Sequence, residues 1–300
     1  MTVNRSAFTV AELVVSLALL GLVVTLVLHS LASHQKVFRG IRHRILLNEQ
    51  LRDGEAALVT DIRGAAVPAD TLRILADSAL EFFATTGSSV VCTTPSNQVV
   101  PLVPSDLSSG IYLSSIPAPP DTGDLLSIYS TRDSVSGYRR WLRFRISAVA
   151  SAQAASVCPL SAGFTSSGDL SKPAYRISVV GSLVGVLAGA PVRVLRRGRY
   201  SLYRSSDGDW YLGYKRCNAV ATGCSTIQPV SGPYLPYAAG SGGGLRFRYI
   251  DSFGAPVSST RPLDVASVEI VLRGEVSAAG KISGRAIDSV LVTVTPRNIH

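Results

Sequence analysis

The spacing of hydrophobic positions changes character twice along the chain. Residues 13–35 read LVVSLALLGLVVTLVLHSLASHQ and carry no formal charge other than what His29 or His34 can take up. As a helix this run would be roughly 34 Å long, enough for a hydrocarbon core of about 30 Å. Glu12 stands at its mouth and Arg5 precedes it, while Lys36, Arg39, Arg42 and Arg44 follow it. The heavier basic flank lies after the run, so counting positive charges does not favour a cytoplasmic N-terminus.

A helical period continues beyond the apolar run. Val37, Ile41, Ile45, Leu51, Leu58 and Ile62 recur at mostly three-to-four spacing and predict one apolar stripe between solvated charges of both signs. Pro68 is the first proline, so a single helix is expected from about Phe8 to Arg63. Gly40 and Gly54 weaken it locally, and an anchor followed by a hinge near Gly40 is the competing layout.

After Ala65 the period becomes two. Leu142, Phe144 and Ile146 alternate with Arg143 and Arg145; Leu245, Phe247 and Tyr249 alternate with Arg246 and Arg248. Val268, Ile270 and Leu272, then Val290, Val292 and Val294, read the same way. Each predicts a strand with one wet face. Further strands are expected at 80–84, 125–130, 175–180, 191–196, 199–204 and 209–214, the last two joined by the Asp207-Gly208 turn signal. The segments 94–124, 148–172 and 217–244 read as long loops. The expected fold class is α+β: a long N-terminal helix packed on a strand-rich, mainly antiparallel head.

Composition narrows the class. Hydrophobic residues make up 46% and charged residues 16%, which excludes a wholly disordered chain. The net charge of +9 is almost all arginine, and sparse charge with abundant Ser, Gly and Thr suits an exported protein. Cys217 and Cys224 enclose six residues and could close a local disulfide, which leaves Cys92 and Cys158 as a second pair. There is no C-x-x-C and no histidine in the head before His300, so no metal site is expected. Nucleophile, metalloprotease and phosphate-loop motifs are absent, so neither catalysis nor a cofactor is expected.

Two basic groups stand out. Arg193, Arg196, Arg197 and Arg199 are followed by Tyr200 and Tyr203, and Arg139, Arg140, Arg143 and Arg145 surround Trp141. Such interleaving can hold single-stranded nucleic acid or another polyanion. The simpler reading is the wet face of antiparallel strands with ordinary aromatic cross-strand pairs. Replacing Arg193, Arg196, Arg197 and Arg199 by Ser is expected to leave stability nearly unchanged, since solvated arginines contribute little to folding.

The segment Arg5-Ser6-Ala7-Phe8-Thr9-Val10-Ala11-Glu12-Leu13-Val14-Val15 resembles the N-terminus of type IV pilins and type II secretion pseudopilins. The resemblance implies a leader of residues 1–7, cleavage between Ala7 and Phe8 by a prepilin peptidase, and N-methylation of Phe8. It also implies pairing of Glu12 with the amine of a neighbouring subunit. Alanine replaces the usual glycine at position 7, and His29 stands where many major pilins have proline. The length and the Leu245–Ile250 and Val268–Arg273 strands look like the larger minor pilins and pseudopilins.

On that resemblance, residues 8–65 are a stem helix crossing the membrane at about 13–35, and 66–300 are the head. The implied protein sits in the inner membrane by a single pass, with its head in the periplasm or, at a filament tip, at the cell surface. Its implied partners are other major and minor pilins or pseudopilins and an inner-membrane assembly platform. Two other classes remain as expectations. One is an anchored head that captures DNA or another polyanion. The other is a secreted protein whose signal peptide is cut near Ser30-Leu31-Ala32.

Overall fold

The computed structural model describes residues 10–65, 72–130, 140–218, 223–238, 242–276 and 286–296. The proposed cleavage pair Ala7 and Phe8 therefore lies outside the described residues.

One unbroken helix, α1, spans Val10–Arg63. It is about 81 Å long at the standard rise. Neither Gly40 nor Gly54 interrupts it. The buried stripe differs from the expected one. Leu47, Leu51, Leu58 and Ile62, with Ala65 just beyond the helix, are at most 4% exposed, whereas Val37, Ile41 and Ile45 are each at least half exposed. Only the last third of the helix lies on the head, so apolar spacing upstream of Leu47 finds no covering partner among the described residues. Gly54 sits in this buried register, and a Cβ there would collide with the Tyr234 hydroxyl. The glycine permits close approach of a strand rather than weakening the helix.

The head holds two antiparallel sheets. The larger contains β1 (Leu72–Leu75), β2 (Ala79–Val90), β3 (Val99–Pro101), β4 (Leu125–Ser130), β5 (Arg140–Gln153), β6 (Pro173–Val180), β7 (Pro191–Arg204), β8 (Trp210–Cys217) and β9 (Gln228–Tyr234). The smaller contains β10 (Leu245–Ile250), β11 (Ser267–Val276) and β12 (Ala286–Val294) in that order. A single helical turn, α2, spans Ala154–Val157 after β5. The Asp207-Gly208 turn closes the β7–β8 hairpin, with Gly208 at φ +93°.

Strand β7 organises the large sheet. The two segments expected at 191–196 and 199–204 are one continuous strand. β2 pairs along one edge, from Pro191 to Ser201. The other edge is shared: β4 pairs with Val192–Leu195, and β8 pairs with Arg197–Arg204. The sheet forks at Arg196. One branch continues through β5 and β6 to β3, the other through β8 to β9. All three expected loops are partly strand. β3 lies inside the 94–124 segment, β5 runs on through Gln153, and β9 lies inside the 217–244 segment.

Each branch has its own core. The first joins Leu51, Leu58 and Ile62 of α1 to Phe82, Tyr200 and Leu212 of the large sheet and Phe247, Ile270 and Leu272 of the small sheet. The second joins Leu126, Ile128, Phe144, Ile146, Ile177, Val192 and Val194, with Leu102 and Val186 from connecting segments. Disulfides link Cys92 to Cys158 and Cys217 to Cys224.

Candidate functional site

The stem presents the first candidate surface. Glu12 lies in the first turn of α1, where a carboxylate complements the positive end of the helix dipole. An 18-residue window of α1 has a mean hydropathy of 2.6 and is nowhere buried, so the helix is long and apolar enough to cross a membrane. Exposed Val37, Phe38, Ile41, Ile45 and Leu46 carry the apolar surface toward the head.

The stem is fastened to the head by polar contacts at two levels. The Tyr200 hydroxyl donates to Asp61 at 2.7 Å, and the Tyr234 hydroxyl donates to the Gln50 carbonyl at 2.9 Å. Burial raises the Asp61 carboxyl above the ordinary carboxylate range despite the hydrogen bond from Tyr200. Burial, and then the nearby Asp61 charge, pushes the Tyr200 phenol far above its usual value.

The arginines of β7 do not act as one group. Strand alternation sends Val192, Val194, Arg196, Gly198 and Tyr200 to the face that carries both cores, and Arg193, Leu195, Arg197 and Arg199 to the other. Arg196 therefore points between the two cores at the fork. Its Nη2 lies 2.9 Å from Oδ2 of Asp124, which is 1% exposed, and its Nε donates to Oδ1 of the same carboxylate at 3.2 Å. Arg216 of β8 reaches Asp124 Oδ1 at 3.1 Å and Asp121 at 3.1 Å. The hydrogen bonds that Arg196 donates to Asp124 raise the Arg196 pKa, against a smaller opposing effect of burial. Asp124 thus ties β4, β7 and β8 together where β4 and β8 part.

Arg197, on the opposite face, pairs through Nε with Glu81 of β2, whose side chain is 2% exposed, and Nη1 donates to the Asn218 carbonyl. These contacts correct the expectation that all four arginines are solvated. Arg196 and Arg197 hold buried carboxylates, and a buried carboxylate left without its partner is costly. Asp124 and Glu81 were not singled out in the sequence. Each is a lone acid beside an apolar run, and nothing local distinguishes such an acid from a surface one.

The two basic groups nevertheless meet. Ser127 of β4 pairs with Arg193 on one side and Arg143 on the other. Two strand spacings separate those arginines, about 10 Å. Arg145 follows in the next row beside Leu125, which pairs with Leu195. The Arg193 guanidinium lies 4.7 Å from the centre of the Trp141 ring. Arg143, Arg145, Arg193, Arg197 and Arg199 therefore share the outer face of the sheet, with Trp141 among them. Arg139 lies outside the described residues.

Among the described residues no group of three or more His, Cys, Asp or Glu side chains is arranged to hold a metal ion. Comparison with family models, curated proteins and solved structures finds no match of the chain in any of the three.

Proposed function

We propose that this protein is a minor pilin or pseudopilin. In this reading it is a non-enzymatic subunit that initiates, caps or regulates assembly of a type IV pilus or a type II secretion pseudopilus. The observation that carries the reading is the division of α1. Its apolar N-terminal part is exposed throughout, its C-terminal part is built into the head, and no break separates them. A simple anchor needs no rigid continuation into the head, and a cleaved signal peptide would discard the exposed half. The resemblance of residues 5–15 supplies the specific assignment. The head sits in the periplasm, and Glu12 pairs with the methylated amine of Phe8 on a neighbouring subunit. The cationic amine would neutralise a carboxylate held at the edge of the hydrocarbon layer.

Intact mass of the protein extracted from its host membrane tests this. Loss of residues 1–7 with the gain of one methyl group is expected. A mature chain beginning at Ser33 would identify an ordinary secreted protein and overturn the reading. Glu12→Ala should leave membrane insertion intact and reduce filament assembly in a complementation assay.

A second reading draws on the joined arginine face, which would hold a polyanion such as DNA. It predicts that Arg145→Ser, Arg193→Ser and Arg199→Ser together lower the salt slope of DNA binding by about 0.9 for each phosphate no longer neutralised. Arg196 and Arg197 are left in place because they hold buried carboxylates. An unchanged slope for the full chain in detergent would reduce this face to a wet strand surface.

A further inference from the structure

The far edge of the large sheet carries a cavity of about 310 Å³, lined by Thr93, Thr94, Ser96, Asn97, Val99, Pro101, Ser156, Val157 and Arg176. That volume lies at the lower end of the range for small-molecule pockets. Its floor is the β3–β6 pair, in which Pro101 stands opposite Arg176 and Val99 opposite Ser178. Its two walls are residues 93–97 and the α2 turn.

The walls are fixed before any ligand arrives. Cys92, at the root of one wall, is bridged to Cys158, at the root of the other. Asn97 and Gln98 form a tight turn at φ +49° and +61°, closed by the Val99 amide donating to the Ser96 carbonyl at 2.9 Å. The Gln98 carbonyl in turn accepts from the Val179 amide of β6 at 2.9 Å. Two consecutive non-glycine residues in the left-handed region are unusual and persist where the surroundings hold them.

The chemistry inside is one-sided. Arg176 donates one Nη2 hydrogen bond to the Ser156 carbonyl and makes no ion pair among the described residues. A guanidinium has five N–H donors, so most of its fork remains for a planar anion. No carboxylate lines the cavity. The side chains of Thr93, Thr94, Ser96 and Asn97 have no hydrogen-bond partner among the described residues. Four short polar side chains thus line the same cavity as one cation, and Val99, Pro101 and Val157 supply a small apolar wall.

We propose that this cavity binds an acidic sugar unit, with Arg176 taking the carboxylate and the hydroxyl and amide groups of residues 93–97 taking the ring hydroxyls. A single guanidinium matches one negative charge, whereas a phosphate dianion would call for more. The polar lining suits a hydroxylated ring more than the apolar side chain of a peptide acid, and the apolar wall suits the C–H face of that ring. This site is separate from the stem and stands whether or not the assembly reading holds. The same chemistry is offered by a free sugar acid and by a unit within an acidic polysaccharide.

The test is calorimetric titration of the full chain in a sugar-free polyoxyethylene detergent with D-galacturonate, trigalacturonate, D-galactose and acetate. Galacturonate should bind about tenfold or more tightly than galactose or acetate, because it alone offers both the charge and the ring. Tighter binding of trigalacturonate would identify a polysaccharide unit as the source, and equal or weaker binding a free sugar acid. Arg176→Gln should weaken galacturonate about tenfold or more. Asn97→Gly should weaken it by a smaller factor while leaving the melting temperature equal or higher, since glycine suits the positive φ. Acetate binding as tightly as galacturonate, undiminished binding by the Arg176 variant, or no heat from either sugar acid at about 20 mM would each overturn the proposal.

Discussion

The two largest cores of the head lie on the same strand and are covered in different ways. Beneath Tyr200 and Leu202, in the second half of β7, the sheet is covered by α1 and by the β10–β12 sheet. Beneath Val192 and Val194, in the first half, no long helix is present among the described residues, and the cover consists of connecting segments that carry Leu102, Val186 and Ala190. A sheet face must bury its apolar side against something, and loops do this less well than a helix because their backbone polar groups also need partners. The half without a long helix is the one with a bridge from Cys92 to Cys158, 66 residues apart in sequence. Regular secondary structure closes one core, and a covalent link supports the closure of the other.

The strongest way to break this division is at its boundary. Asp124→Ala leaves Arg196 and Arg216 without their buried carboxylate and should cost about 3–5 kcal/mol, the scale for breaking a buried ion pair. Because Asp124 joins β4, β7 and β8, hydrogen exchange should accelerate in both cores. Acceleration in one alone would show that the fork does not couple them.

Removing the bridge with Cys92→Ala and Cys158→Ala should cost about 4 kcal/mol on a chain-entropy estimate for a loop of this length. The loss should appear as faster exchange in β3, β5 and β6, with β11 and β12 unchanged. The converse change is Leu58→Ala, fully buried between α1 and the head. It should cost about 3 kcal/mol by denaturant titration and act on the helix-covered core alone.

The smallest expected effect is on pH dependence, and its sign differs between the two regions. Asp61, near the end of α1 where it meets the head, has a raised pKa, so it contributes stability while protonated. That contribution is complete below the unfolded value of about 3.9 and is lost as pH rises through the folded value. Asp169 lies in the region that has no long helix. It accepts hydrogen bonds from the Ser166 backbone and hydroxyl, from Lys172 and from the Ser108 backbone, and these hold its pKa far below normal. Its contribution is present above about pH 3.9 and is lost as pH falls toward the folded value. Acid should therefore loosen segments 102–108 and 166–172 while favouring the stem contact. Asp61→Asn should flatten the decline in stability above about pH 4, measured by exchange in β8 and the end of α1; an unaltered slope would remove Asp61 as its source.

How much of this was legible depends on the range over which the information is stored. The apolar run, the long helix and most strands follow from spacing within about a dozen residues, because side-chain direction repeats every 3.6 residues in a helix and every two in a strand. The stripe through Val37, Ile41 and Ile45 shows the limit. Its period is helical, but period alone does not say where a covering surface begins, and burial against the head begins at Leu47. β9 was hidden because Gln228–Tyr234 contains Pro229, Gly232 and Pro233 and shows little alternation. The continuity of β7 through Gly198 was hidden for a related reason, since it depends on the Tyr214 ring filling the space that a Cβ would occupy.

A long N-terminal helix, an antiparallel head and the residues that alternate along each strand follow from local spacing alone. That β7 serves two cores, that Arg196 and Arg197 neutralise Asp124 and Glu81, and that Arg193 and Arg143 flank one serine follow from strand pairing. The physical reason is sequence separation. Alternation is a property of neighbouring residues, but the partner of Arg196 lies 72 residues away and that of Arg197 lies 116 away. Such pairs exist only after strand pairing has selected which edges meet.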